Sequence, residues 1–393
     1  MAADPVVILG ARRTPIGAFQ GVFSNTTATH LGSAAIAAAA ADAGVELDRI
    51  DEVLMGCVLP AGLGQAPARQ AAIGAGIPVG APCTTVNKMC GSGMKALMQG
   101  YDAILAGSSG LVVAGGLESM TNAPYLLPKA RSGYRMGHQE VLDHMFTDGL
   151  QDVYEGHMMG HYAENAAEKY GFTREEQDAF AIESVTRAQR SVSDGSFGAE
   201  VTPVSFETRR GEVTVSEDET PGAVSVEKIP TLRAAFRKGG TVTAASSSSI
   251  SDGAAALVLT TASHAEANGL EPIARIVGHS SFAQEPAWFT TAPIDAIERL
   301  HRKLGWSPDN VDLYEINEAF ACVAMAAMRD VGLDHSKVNV NGGACALGHP
   351  VGATGARITT TLIHALRARG LKRGIASLCI GGGEATAVGI EID

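Results

Sequence analysis

The chain reads as an α/β protein made of two similar halves, each alternating strands with helices around a mostly parallel sheet covered on both faces. Three observations predict this. The sequence repeats itself weakly: Cys90-Gly-Ser-Gly93 leads into a helical segment and then the apolar run Gly110-Leu-Val-Val-Ala-Gly-Gly116, while His349-Pro-Val-Gly-Ala-Thr-Gly355 leads into another and then Ile375-Ala-Ser-Leu-Cys-Ile-Gly-Gly-Gly383. Asp51-Glu-Val-Leu-Met-Gly-Cys-Val58 likewise resembles Asn310-Val-Asp-Leu-Tyr-Glu-Ile-Asn317. Between about Ser119 and Thr243 the alternation fails, in a long excursion richer in Met, His and charge.

In chain order, Val6-Val-Ile-Leu-Gly10 reads as a strand, and the Ala-rich stretch Thr29–Ala43 as a helix. Met94–Leu105 follows as a helix and Gly110–Gly116 as a buried strand. In the excursion, Thr173-Arg-Glu-Glu176 has the spacing of a capping box and opens a helix. The serine run Ser246–Ser249 reads as a flexible loop ahead of Ile250-Ser-Asp-Gly253. Ala356–Arg369 is a helix, and Ile375–Gly383 a buried strand. The repeat puts Cys90 and His349 at matching glycine-rich turns, and a pseudo-twofold arrangement would set those two helix starts face to face.

Composition narrows the functional classes. With 393 residues, 46% apolar and 18% charged, the chain has ample material for a large core. Its 46 glycines, together with few aromatics, point to tight helix-on-sheet packing. A net charge of -12 argues against nucleic acid and an anionic membrane surface. Lys129, Arg131, Arg135 and His138 form a basic island, either a local attraction for an anionic substrate or a solvated loop. Cys57, Cys83, Cys90, Cys322, Cys345 and Cys379 show no CxxC pair and no secretory leader precedes them. No run of ~18 apolar residues suggests a membrane span. A reducing cytoplasm with free thiols is the expected setting. The C-terminal Glu391-Ile-Asp393 is not a peroxisomal address.

Chemistry concentrates on Cys90, in Asn87-Lys-Met-Cys-Gly-Ser-Gly-Met-Lys-Ala96. A cysteine just ahead of a helix meets free backbone N–H groups and the positive end of the helix dipole, and both favour the nucleophilic thiolate. A buried, inert thiol in a turn is the simpler reading for a lone cysteine. Three distant segments argue otherwise: Glu315-Ile-Asn-Glu-Ala-Phe-Ala321, Asn341-Gly-Gly-Ala-Cys-Ala-Leu-Gly-His-Pro-Val-Gly-Ala-Thr-Gly-Ala-Arg357 and Cys379-Ile-Gly-Gly-Gly-Glu384. With the Cys90 segment, in this order, they resemble the signature motifs of the thiolase family and, within it, of acetyl-CoA acetyltransferases. The resemblance runs from Ala11-Arg-Arg-Thr-Pro-Ile-Gly-Ala-Phe19 to the last strand.

That resemblance implies the thiolase fold: two similar βαβαβαββ halves in an αβαβα layered sandwich with an inserted loop domain. Residues 1–118 and 244–272 would form the N-terminal half, 119–243 the insertion and 273–393 the C-terminal half. It implies reversible condensation of two acetyl-CoA to acetoacetyl-CoA and CoA through an acetyl thioester on Cys90. A broader 3-ketoacyl-CoA thiolase of fatty-acid β-oxidation is the alternative. By the same resemblance His349 takes the Cys90 proton, and Cys379 handles the α-proton of the incoming acetyl-CoA. Asn317, acting through a water, pairs with His349 at one oxyanion hole. The backbone N–H groups of Cys90 and Gly381 form the other, the bare Gly381-Gly-Gly383 backbone lying beside the thioester oxygen. A thiol's ordinary pKa of ~8.5 suits acid–base work by Cys379. Ser248, Ala244, Phe236, Phe320, Leu150 and Met158 are the implied coenzyme A contacts. No cofactor beyond coenzyme A thioester substrates is expected, and a homotetramer built as a dimer of dimers is.

Two departures stand out. Ser246 replaces the usual Asn, and Met158-Met159-Gly160 replaces the usual His-Met-Gly near the acyl pocket. His157, one position off, would point about 100° away if this stretch were helical. Rival motifs are weaker. Gly91-Ser-Gly93-Met-Lys-Ala96 fits a dinucleotide fingerprint but does not follow the first strand and has no acidic residue in the ribose-binding place. His157-Met-Met-Gly-His161 has zinc-protease spacing, yet Met158 stands where the Glu is needed and Gly160 would interrupt the helix. Ketoacyl-ACP synthases share the fold but lack a second catalytic cysteine, which favours thiolase here.

Overall fold

The computed structural model describes residues 4–209 and 211–393. Its N-terminal half contains β1 (Val6–Arg13), α1 (Ala28–Asp42), β2 (Glu52–Gly56), α2 (Pro67–Gly74), β3 (Cys83–Val86), α3 (Ser92–Leu105) and β4 (Val112–Ser119). The long excursion then carries α4 (Met159–Tyr170) and α5 (Arg174–Ser193). The chain returns through β5 (Ser251–Thr261), β6 (Ala274–Ala283), α6 (Ala292–Leu304), β7 (Leu313–Ile316), α7 (Ala321–Val331), α8 (Thr354–Arg369), β8 (Arg373–Ile380) and β9 (Glu384–Glu391). The predicted capping box is present: Thr173 accepts from Glu176 N, and Glu176 accepts from Thr173 N.

The sheet order is β7-β8-β9-β6-β1-β5-β4-β2-β3, with the two-residue strand Gly17–Ala18 paired to β5. The order is symmetric about the β1–β6 junction, where Val6, Val7 and Ile8 pair with Ile276, Arg275 and Ala274. The expectation of a mostly parallel sheet is corrected. Only β2–β3, β2–β4 and β7–β8 are parallel, while the strands nearest the junction pair antiparallel. The crossover units seen in the sequence repeat generate the parallel pairs. β5, β6 and β9 fill the middle, and β8 turns directly into β9 through the glycines that follow Ile380. Opposite β3, the C-terminal half has a single parallel bridge, Tyr314 to Val338.

Layering follows from alternation along the strands. In β1, Val6 and Ile8 face a core shared with α3 and α8, whereas Val7 and Leu9 face one shared with α1 and α2. A third core lies between the C-terminal strands and α6 and α7. The central layer is therefore α3 against α8; α8 is buried from Thr354 to Leu366, α3 leaves Gln99, Asp102 and Leu105 exposed, and the helices meet at their N-termini. Gly355 makes that approach feasible: a Cβ there would stand 2.3 Å from Met94 N. The face-to-face helix starts expected from the repeat are what the fold builds.

Two local expectations are corrected. The serine run is not a flexible loop. Ser246 and Ser247 are buried, Ser246 Oγ and Thr243 Oγ1 accept each other's backbone N–H, and Ser248 N donates to Ala319 O. Nor does Gly160 interrupt its helix. α4 starts at Met159, and the Phe236 ring occupies the space a Cβ at Gly160 would need, 2.2 Å from Cδ1. His157 precedes that helix, is exposed and stacks on His161 at 4.1 Å between ring centroids.

Candidate active site

The turn between β3 and α3 is wound tightly. Gly91 N and Ser92 N donate to Lys88 O and Met89 O, and Ser92 Oγ accepts from Lys88 N at 2.8 Å. Met89 is thereby held at φ 47°, a left-handed conformation that costs a non-glycine residue roughly 1 kcal/mol. The next residue, Cys90, lines a cavity and also packs against the neighbouring core. Backbone N–H groups of Gly381 and of Cys90 itself favour its thiolate, but burial outweighs them and pushes the thiol up. The Cys90 thiol rests protonated, contrary to the expectation from the helix start alone, and would need a base to act as a nucleophile.

His349 lines the same cavity. Its backbone N–H donates to Ser249 O, tying the loop to the serine run. Its Nδ1 lies 2.6 Å from Thr354 Oγ1. That hydroxyl donates to Pro350 O at 2.9 Å, so it accepts from the ring, Nδ1 carries the proton and Nε2 keeps a lone pair. Burial, helped by the positive charge of Arg357, pushes the imidazole down to about 3. His349 is thus neutral at working pH, with Nε2 an acceptor whose one partner among the described residues is the long contact from Asn317 Nδ2. Asn317 lies behind it, Nδ2 at 3.5 Å from Nε2, and its buried Oδ1 accepts no hydrogen bond from the described residues.

Cys379 sits near the end of β8, buried among Ala319, Phe320, Phe289 and Met159. Burial and the neighbouring sulfurs of Cys90 and Cys322 push its thiol well above the ordinary range. The expectation of a thiol titrating near working pH is corrected: both cysteines rest protonated. The glycine argument also shifts. A Cβ at Gly381 would stand an ordinary 3.5 Å from Met159 Sδ, whereas Gly383, at φ 92°, would collide with Gln284 O at 2.3 Å. The reversal into β9 needs Gly383, while Gly381 borders the cavity.

Cys90, His349, Cys379 and Gly381 line one cavity of about 530 Å³, together with Ser248, Ala244, Phe236, Phe320, Leu150 and Met158. Of the sequence-predicted residues only Asn317 lies outside the lining. Sequence reasoning missed Met120, Phe146, Phe289 and Val351. Val351 follows the His349-Pro pair and was within reach; a lone apolar residue such as Phe289 carries no pattern. Ser246 is spent on its own turn and does not reach the cavity. The basic island is exposed and lines no part of it. Among the described residues no three His, Cys, Asp or Glu side chains converge to hold a metal ion, and no helix is long and apolar enough to cross a membrane. A thiol, a neutral imidazole with an acceptor nitrogen, a second thiol and backbone N–H groups around one apolar cavity form a set suited to acyl transfer.

Comparison with known proteins agrees. Residues 6–263 match the family described as "Thiolase, N-terminal domain" and residues 270–392 match "Thiolase, C-terminal domain". The chain is 48% identical over 390 residues to the acetyl-CoA acetyltransferase of Pseudomonas aeruginosa, covering 99% of each. The crystal structure of the Bacillus anthracis acetyl-CoA acetyltransferase superposes with a TM-score of 0.97 at 43% identity, over 100% of both chains. A thiolase from Ascaris suum in complex with coenzyme A superposes with a TM-score of 0.93 at 41% identity, over 99% of this chain and 100% of that one. With the two-half fold, the cavity and both family domains in agreement along its length, this chain belongs to the thiolase family.

Proposed function

We propose that this protein is an acetyl-CoA C-acetyltransferase, joining two acetyl-CoA to acetoacetyl-CoA and CoA through an acetyl-Cys90 thioester, and running in reverse by thiolysis. The observation that carries the reading is the meeting of Cys90, His349 and Cys379 at one cavity with apolar walls. His349 Nε2 takes the Cys90 proton as the sulfur attacks the first thioester, and returns it to the coenzyme A sulfur as the C–S bond to that leaving group breaks. The oxyanion formed lies by the backbone N–H groups of Cys90 and Gly381. In the second half Cys379 passes its own thiol proton to the neutral His349 and, as the thiolate, takes the α-proton of the incoming acetyl-CoA. Burial makes its thiolate a strong base once formed. The new C–C bond forms as the bond to Cys90 breaks, and the Cys90 sulfur recovers the proton held on His349. Asn317 acts with His349 on the oxygen of that second thioester.

The pantetheine arm would run past Ser248, Ala244, Phe236 and Phe320, with Leu150 and Met158 at the acyl end. Met158 favours some tolerance for longer 3-ketoacyl chains: a flexible thioether offers apolar contact where a buried imidazole would need a partner. The reading extends to a homotetramer in the cytoplasm. Exposed apolar side chains on the insertion, Met136, Val153, Tyr154 and Tyr125 among them, support self-association, and all six cysteines are free. Light scattering showing a stable monomer would contradict the assembly. For the activity, the test is thiolysis of acetoacetyl-CoA by the purified protein, with loss of turnover on the order of 10³-fold or more in Cys90→Ser. Turnover by that variant at the wild-type rate would refute the reading.

A further inference from the structure

Glu118 is the penultimate residue of β4, fully buried beneath the active-site cavity, and forms no ion pair among the described residues. Its Oε2 accepts from Val58 N and Gly352 N, both at 2.9 Å, and its Oε1 from Leu59 N at 3.1 Å. The Cys57 thiol adds a longer contact to Oε1 at 3.6 Å. The donors come from two places. Residues 57–59 leave β2 and stand behind the cavity lining, Val58 and Leu59 packing with the lining residues Met120 and Val351 and against Cys90 and Leu150. Gly352 belongs to the other half of the molecule, in the turn that carries His349 into α8. One carboxylate therefore ties the segment that backs the cavity lining in the N-terminal half to the His349 turn of the C-terminal half. The fit is close: a Cβ at Gly352 would stand 2.6 Å from Glu118 Oε2.

A buried carboxylate without a cation is costly, and this one is compensated only by hydrogen bonds. We infer that Glu118 is a positioning residue for acyl transfer: its carboxylate holds the Gly352 turn, and through it the His349 imidazole, in register with Cys90. The inference rests on the reading of His349 as the base. Only the ionised form suits the three backbone donors, because a carboxylic acid would turn one acceptor oxygen into a donor facing N–H groups. Burial pushes the Glu118 carboxyl up to about 7. The ionisable groups that face it are the thiols of Cys57 and Cys90, both pushed up themselves. Competence therefore belongs to the state above that value and is lost as the pH falls through it. His349, held down at about 3, does not titrate in this range.

The test is Glu118→Gln, followed by the rate of Cys90 acetylation from acetyl-CoA across pH. The variant should lose ~10- to 100-fold in rate, the scale of a small misplacement of a reacting group, with the KM for acetyl-CoA within about twofold of wild type. The wild-type rate should rise through a midpoint near 7, and the variant should lack that rise. A merely structural staple would lower Tm and leave both rate and profile in place, which would overturn the inference. Should the variant not fold, amide exchange on the wild-type protein decides. Protection at Val58, Leu59 and Gly352, corrected for intrinsic rates, should fall together as the pH drops through about 7, and unchanged protection overturns the inference. His349→Ala measured alongside separates the two readings. If it acetylates at the wild-type rate the base assignment fails; if it is inactive while Glu118→Gln behaves as wild type, only the positioning role fails.

Discussion

At the start of α3, Met89 is held at φ 47° and Cys90 reaches the cavity; at the start of α8, His349 is buried and its Nδ1 is tied to Thr354. The two turns occupy equivalent places in a sheet order symmetric about β1–β6, and their helices abut at Gly355 and Met94. Equivalent backbone has been given opposite chemical settings. The Cys90 turn aims a sulfur at backbone N–H groups, yet burial keeps it a thiol. In the His349 turn, burial and Arg357 keep a histidine neutral, with Nε2 free to accept a proton. A helix start by itself makes neither a nucleophile nor a base. The side chain placed there and the groups that desolvate it decide which it becomes.

The comparison is broken most severely at Cys379, the third group of the cavity, which sits on a buried strand without any helix start. Cys379→Ala should still take an acetyl group on Cys90, because the first half-reaction uses only the two turns. Condensation should fall by ~10²–10⁴, the usual contribution of a general acid–base group. Normal condensation by this variant would remove Cys379 from the mechanism. Thr354→Val sharpens the histidine side. It deletes the hydroxyl that fixes the Nδ1–H tautomer and leaves a buried N–H without a partner, which should cost about 1–3 kcal/mol of stability. Cys90 acetylation should slow by roughly tenfold, within the range of general-base effects. Denaturant unfolding and single-turnover acetylation measure the two separately, and an unchanged acetylation rate would show that Thr354 does not set the tautomer. The smallest effect lies at the far end of the cavity. Met158→His should lower kcat/KM for six- and eight-carbon 3-ketoacyl-CoA relative to the four-carbon substrate, within the ~1–3 kcal/mol that a methylene is worth in an apolar pocket. If wild type cleaves only the four-carbon substrate and the substitution changes nothing, Met158 does not set chain length.

The groups around the cavity were legible because each lies in a contiguous motif: Cys90 at a glycine-rich turn, His349 at its repeat, and Cys379 ahead of three glycines. Their chemical states were not, since these depend on burial by distant segments. A cysteine ahead of a helix reads as thiolate-favouring until the walls of the cavity are known. The layered α/β plan followed from the internal repeat, but the repeat shows only crossover units, so the antiparallel centre formed by β1, β5, β6 and β9 was misread as parallel. The serine run looked flexible because its composition is that of a loop, whereas its hydrogen bonds go to Thr243 and Ala319. Glu118 escaped notice for the same kind of reason. The strand read as ending at Gly116 continues to Ser119, and a single acidic residue near a strand end carries no pattern until its three backbone donors are seen.

The account turns on Cys90 as the acyl carrier. The most direct measurement is intact and peptide mass after mixing the protein with acetyl-CoA alone and quenching in acid. A single acetyl group on the peptide containing Cys90, absent from Cys90→Ser and still formed by Cys379→Ala, is the expected result. An acetyl group that persists in Cys90→Ser, or that maps to Cys379 in the wild-type protein, would contradict it.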